Sequence, residues 1–392
     1  MDEILSRRQE RELREEAVSE ARRAQMDLPF LLLVLLLLCV GVIMVLSASF
    51  ARAYFSVGSE TGGNPTFYFL RQSVFAISGI LLMLVVARFP SSFFRRLALP
   101  LMGLTIVLLL AVRVIGIGDT VGARRWINLG FITFQPSEFA KPAVVFLFAH
   151  MICIYKDKMK TFRWGVLPFV VVLGAIGGLL LLQPHLSATV IILAVGAAMM
   201  FIGGTQIGWF IGGGVAFVGI GSFIVSQFWH ASARITAWLD PFADPLDAGY
   251  QIIQSLFAIG SGGALGLGLG QSRQKYLYLP EEHNDYIFAI VAEELGFVGV
   301  VLILSLFAML VVRGYWIALH ARTKFGTLIA AGMSSLLAIQ VFLNIGVVTN
   351  LLPATGISLP FFSYGGTALW FQLVCMGVIL AVSREIPAKK AG

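Results

Sequence analysis

Between residues 28 and 383 the chain alternates long apolar runs with shorter polar breaks. Ten runs can be read, at 28–48, 70–88, 98–116, 137–155, 165–182, 187–203, 207–228, 285–312, 326–348 and 365–383. Each is close to the ~20 residues that a helix needs to cross the hydrocarbon of a bilayer. The runs are continuous blocks, which argues against the ten-residue alternation of a membrane β-barrel. Gln183-Pro184-His185 alone separates the fifth run from the sixth. A proline between two polar residues predicts a tight turn there, not one overlong helix. The pattern predicts an all-α, polytopic membrane protein of about ten helices. It has a polar segment at 1–27, a membrane domain at 28–383 and a short tail at 384–392.

Composition agrees. The 392 residues are 58% hydrophobic and only 12% charged, with mean hydropathy +0.87. Soluble domains carry about a quarter charged residues, so that class is excluded. The net charge of +7 would suggest nucleic acid in a soluble chain, but here placement matters more than number. With the N-terminus inside, nineteen of the 28 Lys and Arg fall on the inner side, eight fall outside, and Lys141 lies within a span. That asymmetry predicts both termini in the cytoplasm and no nucleic-acid role. Cys39, Cys153 and Cys375 all sit in apolar runs with no metal or disulfide spacing and read as small hydrophobes. In the polar N-terminal segment, Glu10 and Arg14 have helical spacing. Ala48-Ser49-Phe50-Ala51 resembles a signal cleavage site. However, the apolar stretch Leu28 to Leu46 is longer than a signal core and follows a charged segment, so an uncleaved first span is expected.

One outer segment stands apart in length. Residues 229–284 separate the seventh and eighth runs, and long loops usually carry function. Its apolar stretch YQIIQSLFAI predicts a short helix lying in the interface. At its end comes Leu279-Pro280-Glu281-Glu282-His283-Asn284-Asp285-Tyr286, three carboxylates and an imidazole where the chain re-enters the membrane. A partly desolvated Asp285 could serve as a general base or hold a divalent cation. Helix capping explains the same acids equally simply. Glu293 and Glu294, two turns deeper, need partners or protonation.

Four further motifs are candidates. Glu138 and Lys141, three apart at the start of the fourth run, can neutralise each other and shape a polar cavity. Arg124-Arg125-Trp126 suits an anionic headgroup at the interface, or an ordinary interfacial belt. The glycine tract 260–270 followed by Arg273 and Lys275 could cradle a pyrophosphate, or simply pack tightly. Without a strand–turn–helix context it implies no nucleotide. Gly- and Pro-broken helix ends around Asn344–Gly356 and Pro360–Gly366 predict the wall of a wet cavity. These polar groups converge outside, which suits an amphiphile with an anionic headgroup that brings its own leaving group.

The segments GARRWINLGFITFQPSEFAKPA, YQIIQSLFAIGSGGALGLGLGQSRQKYLYLPEEHNDYIFAIVAEELGF and NIGVVTNLLPATGISLPFFSYGG resemble the SEDS family (shape, elongation, division and sporulation) over residues 28–383. DLPFLLLVLLLL and QSRQKYLYLPEEHNDYIFAI look most like its division member, with the elongation and sporulation members close. The resemblance implies a ten-helix peptidoglycan glycosyltransferase of the cytoplasmic membrane, at the division septum. It would polymerise lipid II onto a lipid-linked glycan with inversion and release of undecaprenyl pyrophosphate. It also implies catalysis by Asp285, with a divalent cation such as Mg2+ or Mn2+. Arg124, Trp126, Gln251, Ser255, Arg273, Lys275, Glu282 and His283 would bind substrate, and Glu138–Lys141 would be a structural pair. A class B penicillin-binding protein transpeptidase and other division proteins are the implied partners. The chain departs from the family pattern at Asn284 for threonine, Asn350 for glycine, and Gln183-Pro184-His185-Leu186-Ser187 for Gln-Pro-Asp-Leu-Gly. A lipid II flippase is the alternative, motivated by the spans and central polar residues. Such a transporter needs inward-facing headgroup contacts, whereas the candidates cluster outside.

Overall fold

A computed structural model describes residues 25–56, 61–118, 124–130, 132–214, 219, 235–247 and 249–386. The spanning helices are α1 (Leu28–Phe55), α2 (Phe67–Val86), α3 (Ser91–Ile115), α4 (Pro136–Tyr155), α5 (Leu167–Leu181), α6 (Leu186–Ile202), α8 (Ile287–Leu319), α9 (Lys324–Val348) and α10 (Gly366–Ser383). The amphipathic α7 (Tyr250–Ser261) lies in the long outer loop, where a short helix was expected. Eight segments are long and apolar enough to cross a membrane, and α6 is a shorter apolar helix. The seventh predicted span is helical over 207–214 and otherwise falls almost wholly outside the described residues, as do 1–24 and 387–392.

The helix ends explain where hydropathy stops being informative. The first run was expected to end at 48, yet α1 continues to Phe55 and carries Arg52 out past the apolar zone. At the inner end, Asp27 caps α1 by accepting from Phe30 N at 2.9 Å. Its carboxylate also takes the Arg313 guanidinium of α8 at 2.7 and 3.0 Å, while Asp27 N donates to Ser383 Oγ of α10. α1, α8 and α10 are therefore tied at one end, which puts the start of α1 and the end of α10 on the same side. α4 and α9 are enclosed by the bundle, while α2 and the second half of α8 are largely exposed to what would be lipid.

Two features were not expected. Residues 117–134 form a small antiparallel sheet, β1 (Ile117–Gly118), β2 (Arg124–Asn128) and β3 (Thr133–Phe134), in that order. In addition, α8 is broken at Gly296, whose φ of 65° and ψ of −171° leave the helix. A break strands helical carbonyls and N–H groups that water cannot reach. The glycine tract satisfies them. Leu267 N and Gly268 N donate to the carbonyls of Glu293 and Glu294 at 3.0 Å, and Phe297 N and Val298 N donate to Gly263 and Ala264 at 2.9 and 3.1 Å. The two chains approach so closely that a Cβ on Gly266 would meet the Glu294 carbonyl, and one on Gly296 would meet Gly266 N. This tract therefore packs as a backbone staple across the break, not as a phosphate cradle.

Candidate active site

Asp285 stands two residues before α8, in a turn at the outer mouth of the bundle. Its side chain retains some exposure. Gly356 faces it so closely that a Cβ there would lie 2.9 Å from Asp285 Oδ2, with Ser187 Oγ just beyond. Among the described residues no group donates a hydrogen bond to the carboxylate. Burial pushes its pKa from 3.8 up to about 7; nearby Glu281 adds to the rise and Arg125 opposes it. A carboxylate poised near neutrality that water can still reach has the properties of a general base.

The turn is assembled from several elements. Arg125 of β2 donates to the Pro184 carbonyl at 2.5 Å, and so sits against the α5–α6 turn. Beneath that turn, His185 lies buried with its Nε2 3.4 Å from Gln135 Nε2. Burial, Arg125 and Lys141 lower the His185 pKa to about 3, so its imidazole is neutral. Glu138 and Lys141 form a buried pair at 2.6 Å in the first turn of α4.

A family model described as a cell cycle protein, named for FtsW, RodA and SpoVE, matches residues 27–387. The chain belongs to this family. It is 43% identical to a probable peptidoglycan glycosyltransferase FtsW of Geobacter sp. (strain M18), over 92% of this chain and 97% of that one. It is 40% identical to the stage V sporulation protein E of Bacillus subtilis, over 93% and 98%. Among solved structures, a peptidoglycan synthase complex that coordinates polymerization and crosslinking superposes with TM-score 0.75 at 29% identity, covering 92% and 98%. RodA of Thermus thermophilus gives 0.65 at 28%, covering 93% and 98%.

In this FtsW/RodA/SpoVE chain several expected substrate contacts face inward. Glu282 is fully buried and takes Arg52 Nε and Nη2 at 2.7 and 2.8 Å. Its burial would raise its pKa, but His283 and Arg52 outweigh that and hold it below the usual range. His283 packs against the Tyr68 and Tyr364 rings, which also contact each other. Lys275 is buried, paired with Glu294 at 3.0 Å and donating to Gly270 O at 2.6 Å. Ser255 is buried and donates to Val348 O, and Gln251 donates to Pro280 O. In this structure Glu282, His283, Lys275, Ser255 and Gln251 make their contacts within the protein and support the loop. Arg273 is exposed, and its N–H donates to Glu293 at 3.0 Å.

The neighbouring arginines separate at a bulge: Gly118 pairs with Arg124 and Ile117 with Trp126, so Arg125 is the extra residue of β2. Arg124 is exposed and, with Arg113, lines an outer cavity of about 300 Å³ walled by Leu182, Gln183 and Pro184. Trp126 is half-buried. Arg125 is the one whose charge reaches Asp285. Arg52 was not singled out; Arg125 was read only together with Arg124 as a headgroup contact, His185 only as a turn residue, and Asn344 and Gly356 only as part of a cavity wall.

The described residues contain no cluster of three or more His, Cys, Asp or Glu suited to a metal. Hard cations take six or more oxygens, so one carboxylate does not make a resident site for Mg2+ or Mn2+. A cation carried in by a pyrophosphate would find Asp285 as a single protein ligand.

Proposed function

We infer that this chain is a peptidoglycan glycosyltransferase that polymerises lipid II at the outer face of the cytoplasmic membrane during division. The observation that carries the reading is Asp285, an unpaired, partly exposed carboxylate with a pKa near 7 at the outer mouth. The names of its relatives support the reaction class. Asp285 takes the proton from the acceptor 4-hydroxyl as that oxygen attacks the anomeric carbon of the lipid-linked glycan. The bond from that carbon to the pyrophosphate oxygen breaks, and its electron pair leaves with undecaprenyl pyrophosphate. Attack from the face opposite the leaving group inverts the centre. Arg124 and Arg113 supply guanidinium forks at the mouth, suited to a pyrophosphate.

A class B penicillin-binding protein transpeptidase is the partner we assign, by analogy with the synthase complex, and the septum is the location we assign. The test is reconstitution with lipid II and a transpeptidase whose own active site is disabled, read as glycan chains on a gel. Wild type should polymerise, and Asp285→Asn should lose about 10²–10⁴-fold, the usual contribution of a general base. Equal polymer from both removes Asp285 from the chemistry. Headgroup translocation in vesicles without polymer would favour the flippase instead.

A further inference from the structure

The backbone that presents Asp285 leans on other elements of the fold. Leu277 and Glu281 take positive φ values of 68° and 55°, which L-residues adopt at a cost of about 1–2 kcal/mol each. Residues 283–285 precede α8, and the helix begins with no side-chain cap. Their three consecutive carbonyls are instead held from outside the segment. Tyr364 N donates to His283 O at 2.9 Å, Ser363 Oγ to Asn284 O at 2.8 Å, and Asn344 Nδ2 to Asp285 O at 2.8 Å.

The grip is anchored. Asn344, on α9, is buried, and its Nδ2 also donates to Ile357 O at 2.6 Å, one residue beyond the Gly356 that faces the carboxylate. Two carbonyls against one side-chain atom require it to be the amide nitrogen, which fixes the orientation of the group. Ser363 Oγ accepts from Leu359 N at 2.7 Å, and the Ser363 carbonyl accepts from Gln72 Nε2 of α2 at 3.2 Å. Neither Asn344 nor Ser363 has a side-chain bond to the Asp285 carboxylate, so each acts on it only through the main chain.

We propose that Asn344 and Ser363 are positioning residues that clamp the 283–285 main chain and so hold the Asp285 carboxylate against Gly356, in its dehydrated pose. The proposal rests on the reading of Asp285 as the base. A base displaced by about 1 Å loses about 10²-fold in rate, so a clamp one bond from the residue matters to turnover. Release would also let the carboxylate turn toward water, and its pKa would fall toward the ordinary range.

The test uses the full chain with lipid II and the inactivated transpeptidase, measuring kcat and KM from pH 5 to 9. The variants are Asn344→Leu, Asn344→Asp and Ser363→Ala, with thermal melting and size-exclusion elution as folding controls. Asn344→Leu should lower kcat at least about tenfold with KM within about threefold, and move the alkaline-rising midpoint down by at least about half a unit. Asn344→Asp keeps the shape but turns an anion toward two carbonyls, and should lower kcat likewise; the new negative charge beside Asp285 would itself raise the midpoint, so this variant is read by kcat alone. Ser363→Ala should be milder, because Ile287 N still reaches Asn284 O at 3.5 Å, and should shift the midpoint in the same direction. Loss of kcat with an unmoved midpoint, or wild-type kinetics in folded variants, overturns the proposal. If Asn344→Leu does not fold, the Ser363→Ala midpoint decides alone. An active Asp285→Asn would sink the base assignment itself. A dead Asp285→Asn beside unchanged Asn344 and Ser363 variants sinks only the clamp.

Discussion

The strongest consequence of the site is a pH dependence with a stability counterpart. Burial lifts the Asp285 pKa from 3.8 to about 7. At 1.36 kcal/mol per unit, that disfavours the charged form in the native protein by about 4 kcal/mol, as an order of magnitude. A base of that pKa is about a tenth deprotonated at pH 6 and about nine-tenths at pH 8. Initial polymerisation rates should therefore rise about tenfold between those values and then level off. The native protein keeps the proton up to about pH 7, whereas the unfolded chain loses it near 3.8. Across that window the native state binds more protons, so the stability contribution of Asp285 falls as pH rises from about 4 to 7 and stays lost above it. Asp285→Asn, which stays neutral, should melt higher than wild type at pH 8 and level with it near pH 4, while polymerising almost nothing. Melting in detergent and a gel-based polymer assay read the two limbs. A flat rate profile from pH 5.5 to 8.5, or an Asn variant less stable than wild type at pH 8, would refute the reasoning.

Other perturbations separate the base from its supports. Gly356→Ala places a Cβ 2.9 Å from Asp285 Oδ2 at a φ of 66°, and should cut polymerisation at least about tenfold with little change in lipid II KM, checked by Michaelis analysis. Arg52→Met leaves Glu282 buried without its guanidinium and should destabilise by about 3–5 kcal/mol; adding Glu282→Gln should recover part of the lost melting temperature. Lys275→Met removes the buried partner of Glu294, so it should lower melting temperature while leaving KM and its salt dependence near wild type. A substrate-binding lysine would instead show a raised KM.

Much of the architecture was legible because the bilayer imposes one simple rule: a spanning backbone must satisfy itself, and does so as helices of apolar residues. The runs at 137–155 and 365–383 fall within a residue of α4 and α10. Legibility failed where partners are distant in sequence. Nothing near Asn344 says that it will hold the carbonyl of Asp285, 59 residues away, and nothing near Arg52 points to Glu282, 230 residues on. The break at Gly296 was hidden inside the eighth run, because its cure comes from the glycine tract some thirty residues earlier. Adjacent Arg124 and Arg125 looked equivalent until a bulge in a short strand gave them different partners, Val114 O and Pro184 O.

The acids around Asp285 differ in their partners in ways that composition alone does not show. Five carboxylates lie between residues 281 and 294. Glu282 is closed by a guanidinium, Glu294 by an ammonium and the Ser47 hydroxyl, and Glu293 by the Ser272 hydroxyl and two backbone N–H groups. Glu281 accepts from Asn284 at the exposed rim. Each of those bonds ties an acid to the loop or to α8, and for Glu282 they hold the pKa below the usual range. Asp285 has the burial without the bonds, and burial lifts its pKa to about 7. The neighbouring acids hold the loop and α8 together so that one carboxylate can be kept dehydrated and unpaired. Converting a paired acid to its amide should therefore loosen the fold, whereas converting Asp285 should tighten it and end the chemistry.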